Sequence, residues 1–242
     1  MFVLPALTTL ISLGFAAQVL NQYRARGRTH QLAWGLALVF YAVGAFAEVM
    51  GSLSGWTEID FRIYYLFGAI LLVPWLALGT AELLLQQQPR MHWARWAFRA
   101  FVGVTTVAGL VAIVAAVLHA AFINGTQIPD NCAMYCPHEH GYAFGNILAV
   151  IAAAVSNSIG TVVLAGGAAY SAYRTWREGL PTNLTLGNIL ILAGALVVAG
   201  IATLTRLGYY ELFYAAQAVG VAIIFAGFRV IASATQTRSQ LA

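Results

Sequence analysis

The sequence predicts an all-α polytopic membrane protein with seven transmembrane helices, and three observations predict it. Seven apolar runs of about 20 residues or more fill the chain, and a helix of that length matches the ~30 Å hydrocarbon thickness of a bilayer. Hydrophobic residues make up 61% of the 242 residues and charged residues only 8%, against roughly a quarter in a water-soluble domain. The arginines fall almost entirely on every second connection. By the positive-inside rule those connections are cytoplasmic, which predicts an outer N-terminus and a cytoplasmic C-terminus.

The first run, 2–22, carries Pro5 in its opening turn, where a missing N–H costs nothing, and stops at Tyr23, Arg24, Arg26, Gly27 and Arg28. No basic residue precedes it and no small-residue cleavage site follows, so a retained helix is expected rather than a signal peptide. The second run, 31–53, holds one acidic residue, Glu48, after the apolar stretch from Tyr41 to Ala47. An outer connection with Glu58 and Asp60 leads to the third run, 62–86. Arg62 opens that run, Pro74 and Trp75 stand near its middle, and Glu82 lies towards its cytoplasmic end, in reach of Arg90 or Arg174 for a helix-end ion pair. A mid-membrane proline removes one helical hydrogen bond and commonly kinks the helix.

Segment 87–97, with Arg90 and Arg95, reads as cytoplasmic and leads to the fourth run, 98–122, which carries Arg99 at its start and His119 near its outer end. The outer loop 123–142 holds Asp130, Cys132, Cys136, His138, Glu139 and His140. Cys132 and Cys136 are the chain's two cysteines, and in an oxidising compartment a disulfide closing a small loop is expected. Thiolates and imidazoles at these spacings are also a chemically admissible metal set, with Cys132, Cys136, His138 and His140 as its ligands. The fifth run, 143–172, has Asn146 at its start, a deeper polar set of Ser156, Asn157, Ser158 and Thr161, and Arg174 and Arg177 after it. The sixth, 184–206, ends at Arg206. The seventh, 209–232, opens with Tyr209, Tyr210, Glu211 and Tyr214, holds Gln217 at middle depth, and closes with Arg229 and Arg238 beyond or at its end.

These runs leave no room for a soluble sensor or catalytic domain, so one seven-helix domain over 1–242 is expected. The formal charge of +4 is dispersed over helix ends and forms no basic stripe with stacking aromatics, which argues against nucleic acid and for membrane lipid headgroups as partners. All twelve basic residues are arginine, which excludes a lysine general base, a P-loop lysine and a retinal Schiff base. The abundance of Arg, Ala, Gly, Leu and Val points to a bacterial gene and hence to the inner membrane.

Internal similarity is visible between the first and last three runs. Tyr23, Arg24, Arg26 and Gly27 match Tyr173, Arg174, Arg177 and Gly179; Leu32 and Gly35 match Leu184 and Gly187; Arg62, Tyr64, Tyr65 and Phe67 match Arg206, Tyr209, Tyr210 and Phe213. Because both triplets start outside, the repeat would be parallel, in a three plus one plus three arrangement. In helix count, orientation and repeat pattern the layout resembles the sugar-conducting SWEET family over nearly the whole chain. That resemblance implies topology alone, because the prolines on which the family hinges are not matched by Pro5 and Pro74. Microbial rhodopsins are similar in helix count and outer N-terminus, without the lysine that holds retinal.

Two polar groupings follow from helix direction. Glu48, Arg62, Tyr64, Tyr65, His119, Asn146, Arg206, Tyr210, Glu211 and Tyr214 are expected at one outer level, where Glu48 and Glu211 could pair with Arg62 and Arg206. An ionised side chain at membrane depth costs about 2.5–3.5 kcal/mol at the helix centre, so it is usually paired or placed beside water. Asn157 and Gln217 fall at middle depth, where interhelical amide hydrogen bonding is the simpler account of them and a mid-membrane polar site the alternative. No HExxH, GxSxG or haem-clamping histidine pair is present. The expected function is a non-enzymatic membrane protein binding a small or amphipathic ligand from outside, as a transporter or ligand-responsive receptor, with no cofactor. Alternatives are an extracytoplasmic metal or redox enzyme built on the 130–140 loop and a structural subunit of a larger complex. A receptor would need a protein partner, and a homo-oligomer is compatible with the chain.

Overall fold

The computed structural model describes residues 2–86, 88–115, 148–206 and 210–240. It is all-α: α1 (Val3–Arg26), α2 (Thr29–Ser54), α3 (Glu58–Leu85), α4 (His92–Ala115), α5 (Leu148–Arg177), α6 (Thr182–Arg206) and α7 (Tyr210–Gln240). Among the described residues, seven helices are long and apolar enough to cross a membrane. Most extend beyond their apolar runs. The run measures the hydrocarbon-facing part, whereas the hydrogen-bonded helix continues into polar residues until a cap or breaker stops it.

The stops are chemically explicit. α1 reaches Arg26 because Gly27 adopts φ 64° and returns its N–H to Tyr23 O at 2.7 Å, a left-handed conformation that glycine takes without a Cβ penalty. α3 starts at Glu58, ahead of the predicted 62, because Thr57 and Asp60 form a reciprocal capping box. α4 starts at His92 rather than 98, directly after a short 3-10 turn over Pro89–Met91. That earlier start turns Arg95 and Arg99 into neighbours on one helical face.

α3 is not uniform. Its Tyr64–Leu71 segment is π-helical, with Leu72 N–H reaching back five residues to Phe67 O, before α-helical geometry resumes over Leu72–Leu85. Pro74 follows at once and offers no N–H to the carbonyls behind it. Asn157 of α5 donates its Nδ2 hydrogen to Ala69 O at 2.6 Å, so an amide from another helix serves a carbonyl within the π-helical segment, five residues before the proline.

The chain forms two compact units, 1–160 and 161–242. In the first, α2 packs against α1 and along α3, and α3 packs against α4. Trp56, Phe61, Tyr65, Leu66, Ile70, Leu71, Ala112, Ile113 and Ala153 make its main apolar cluster. Trp75 donates to Thr106 Oγ1 at 3.1 Å, tying α3 to α4. In the second unit, α6 and α7 approach backbone to backbone at two levels. A Cβ at Gly227 would lie 2.6 Å from Gly187 O, and one at Gly194 would lie 2.7 Å from Gly220 O. Small residues allow this approach, and dispersion then acts over two whole helix faces.

Candidate functional site

The face that α2 turns towards α3 is built from residues three and four apart: Ala37, Tyr41, Gly44, Glu48 and Gly51, all buried. Gly44 meets the α3 backbone, where a Cβ would stand 3.2 Å from Gly68 N. Gly51 meets the face of the Trp56 indole, where a Cβ would lie 2.5 Å from the ring. Between these two close approaches sits Glu48, 2% exposed. The antiparallel register fixed by Gly44 and Gly68 brings it level with Tyr64 and Tyr65. Tyr41, one α-turn before Gly44, lies in the field of its carboxyl.

A cluster of aromatic rings packs at this end of the first unit. Trp56 packs edge-on against Phe61 and Tyr64 with centroids 6.2 and 5.5 Å apart, and Phe61 lies 6.0 Å from Tyr65. The chain returns Trp56 onto α2 through Gly55 at φ 86°, a second glycine at positive φ. Trp56 is 6% exposed, and its indole N–H finds no hydrogen-bond partner among the described residues; the buried Ser52 hydroxyl, four residues after Glu48, finds none there either. Buried polar atoms of this kind are normally satisfied by ordered water.

On the α1 side, Gln31 Nε2 donates to Gln22 at 3.3 Å and Gly35 abuts Leu20. This antiparallel register carries Thr8 and Ser12 to the half of α2 that holds Tyr41 and Glu48. Thr8 and Thr9 donate their hydroxyl hydrogens to Leu4 O and Pro5 O, while the Ser12 hydroxyl has no hydrogen-bond partner among the described residues. All three side chains are buried.

Arg62 makes a two-pronged ion pair with Glu58 of its own helix, at 3.0 and 2.6 Å, and donates to Ile113 O of α4. Sequence reasoning offered Glu48 as a partner of Arg62 and did not weigh Glu58, which the early start of α3 places one turn away. Glu82 departs from its sequence reading too. Instead of Arg90 or Arg174, its carboxylate accepts from Arg99 Nε at 2.5 Å, Arg95 Nη2 at 2.8 Å and Thr29 Oγ1 at 3.1 Å. The group is 3% exposed, and with its partners it joins the start of α2, the end of α3 and the start of α4. His30, also buried, sets its ring edge-on to Trp34, whose indole donates to Leu76 O at 3.1 Å.

The residues expected at one outer level belong to both units. Glu48, Arg62, Tyr64 and Tyr65 come together at one end of the first unit. Arg206 ends α6, and Tyr210 and Glu211 open α7. Tyr214 and Gln217 are buried within the second unit. Asn157 belongs to the first unit and bonds to the α3 backbone. His119, Asn146, Cys132, Cys136, His138 and His140 lie outside the described residues, so the disulfide and metal expectations fall there. Among the described residues no group of three or more His, Cys, Asp or Glu is placed to hold a metal. Tyr41, Ser52 and Trp56 were missed; the first two stand seven before and four after Glu48, a helical spacing that a search outward from that carboxylate would find. Comparison of the chain with protein-family models, curated proteins and solved structures gives no match, so the residues themselves carry the functional argument.

Proposed function

We propose that this is a non-enzymatic integral membrane protein that binds a small or amphipathic ligand in a cavity opening outward beside Glu48, as a transporter or ligand-responsive receptor. The observation that supports this most is the burial of Glu48 in an otherwise apolar helix face. An acid at membrane depth is costly and marks ligand, ion or proton sites. Tyr64 and Tyr65 supply the walls, and Arg62 with Glu58 forms the rim.

The orientation belongs to the same proposal. The helix ends bearing Arg90, Arg95 and Arg99 also expose Trp93 and Trp96, and those bearing Arg174 and Arg177 expose Tyr170, Tyr173 and Trp176. Arginine beside interfacial aromatics supports a cytoplasmic level there, which puts the Glu48 end, the N-terminus and Glu58 outside. The parallel three plus one plus three repeat and the bacterial inner membrane complete the reading. Its test is a thermal-shift screen of purified protein against sugars, amino acids and amphipathic cations, followed by binding and flux with Glu48→Gln. A ligand of this site loses about tenfold or more in affinity, or about 1.4 kcal/mol, in the folded variant. Unchanged affinity and flux would overturn the assignment.

A further inference from the structure

The arginine-bearing end of the first unit carries more positive charge than its own acids neutralise. Among the described residues of that unit Glu82 is the one acid at this end, since Glu48, Glu58 and Asp60 lie towards the other. Its carboxylate oxygens are taken separately, Oε2 by Arg95 Nη2 at 2.8 Å and Oε1 by Arg99 Nε at 2.5 Å. Two guanidinium groups thus face one carboxylate, a sum of +1. Arg28, directly before the Thr29 that also bonds to Glu82, and Arg90, just before α4, add to the same sign.

Arg99 is the cation whose bonding is incomplete. Its Nε serves Glu82, while its Nη groups make no hydrogen bond among the described residues. The side chain keeps 32% of its surface, and its Cζ stands 5.0 Å from the centroid of the Trp96 ring. Trp96 is steadied from its other side, where the indole N–H donates to His92 Nε2 at 3.3 Å. A neutral His92 ring that accepts at Nε2 carries its own hydrogen on Nδ1, which adds a donor two turns from Arg99 on the same helical face. Trp93, Trp96 and His92 are all exposed. Guanidinium groups grip phosphate oxygens in a two-pronged fork, and indoles collect at the headgroup level of a bilayer. A phosphodiester carries one negative charge, which brings the sum of Glu82, Arg95, Arg99 and the phosphate to zero.

We propose that this corner binds one anionic phospholipid, whose phosphodiester is held by the Nη groups of Arg99 while Trp93 and Trp96 lie against its glycerol and upper acyl chains. Basic clusters at the ends of membrane helices recognise anionic headgroups by this charge match. A soluble anion would gain the match but leave the exposed indoles uncovered, which favours a lipid. A zwitterionic lipid brings the same phosphate with a cation beside it, which Arg28 and Arg90 oppose. The site is independent of the ligand reading at Glu48 and stands whichever side of the bilayer this end faces.

Native mass spectrometry of the whole protein in detergent, titrated with phosphatidylglycerol or phosphatidylcholine of identical chains, tests this. One phosphatidylglycerol should bind about tenfold or more tightly than phosphatidylcholine. Arg99→Gln should remove that preference, whereas Arg174→Ala, at an arginine-bearing end of the second unit, should keep it. Trp96→Leu leaves both ion pairs of Glu82 in place and should weaken phosphatidylglycerol binding, so the site is read even if Arg99→Gln does not fold. Equal affinity for the two lipids in the wild type, a preference unchanged in the folded variants at Arg99 and Trp96, or an equal loss in Arg174→Ala would overturn the proposal. Displacement of the lipid by an equal concentration of inorganic phosphate would assign the corner to a soluble anion and overturn it too.

Discussion

Glu48 and Glu82 are both buried acids near helix ends of one unit. Glu82 accepts from two arginines and a threonine, so it is a fixed anion that fastens three helices. Glu82→Gln should cost about 2–3 kcal/mol, below the ~3–5 kcal/mol of a fully buried pair because the Arg95 and Arg99 side chains keep 25% and 32% of their surface. Denaturation in detergent measures this, with Arg174→Ala as a control; its solvent-exposed pair with Glu178 should leave the melting curve essentially unmoved. At this scale the sequence was partly legible. Glu48 stands out because it interrupts an apolar run, and Tyr41 and Ser52 follow from helical spacing. Trp56 did not, because its place depends on the turn at Gly55, and the partners of Glu82 were misread because α4 begins a turn and a half earlier than its apolar run.

At the scale of elements, glycine does different work in different helices. Gly187, Gly194, Gly220 and Gly227 sit where α6 and α7 backbones meet, whereas a Cβ at Gly166 of α5 would meet nothing within 4 Å. Gly227→Ala must push against Gly187 O and should destabilise the protein by about 1–3 kcal/mol. Gly166→Ala should be neutral or gain up to about 1 kcal/mol from helix propensity; paired melting curves separate the two. Asn157 makes a comparable point about polar residues. Its hydrogen bond to Ala69 O keeps a backbone acceptor satisfied at membrane depth, so Asn157→Leu should cost roughly 1–2 kcal/mol, read as a lower melting temperature and faster amide exchange in α3. The presence of a polar residue at 157 was plain in the sequence, but its target was not. A π-helical segment leaves no composition signal, and without it no reason exists to look for an acceptor at Ala69.

For the whole molecule, seven helices were legible because hydrocarbon thickness imposes one length on every crossing, and apolar runs record that length directly. Orientation rests on the arginines and is open to a direct check. In a background with Cys132 and Cys136 replaced by serine, cysteines introduced at the exposed Ser54 and Gln88 should behave oppositely towards a membrane-impermeant maleimide. Ser54→Cys should label in intact cells and Gln88→Cys only after permeabilisation; the reverse pattern would invert the proposed topology and turn the Glu48 site towards the cytoplasm. The π-helical segment has a consequence of another kind, for how this chain tolerates change in length. A wide turn is equivalent to one residue inserted into an α-helix, and each residue advances the helix by about 100°. Deleting a single residue between Tyr64 and Leu71 would therefore let α3 close into a regular helix, where the same deletion elsewhere would rotate every later side chain out of register. The loss would fall instead on the contact between Gly44 and Gly68, making this short stretch the place where a length change could retune the carboxyl compartment without dismantling the bundle.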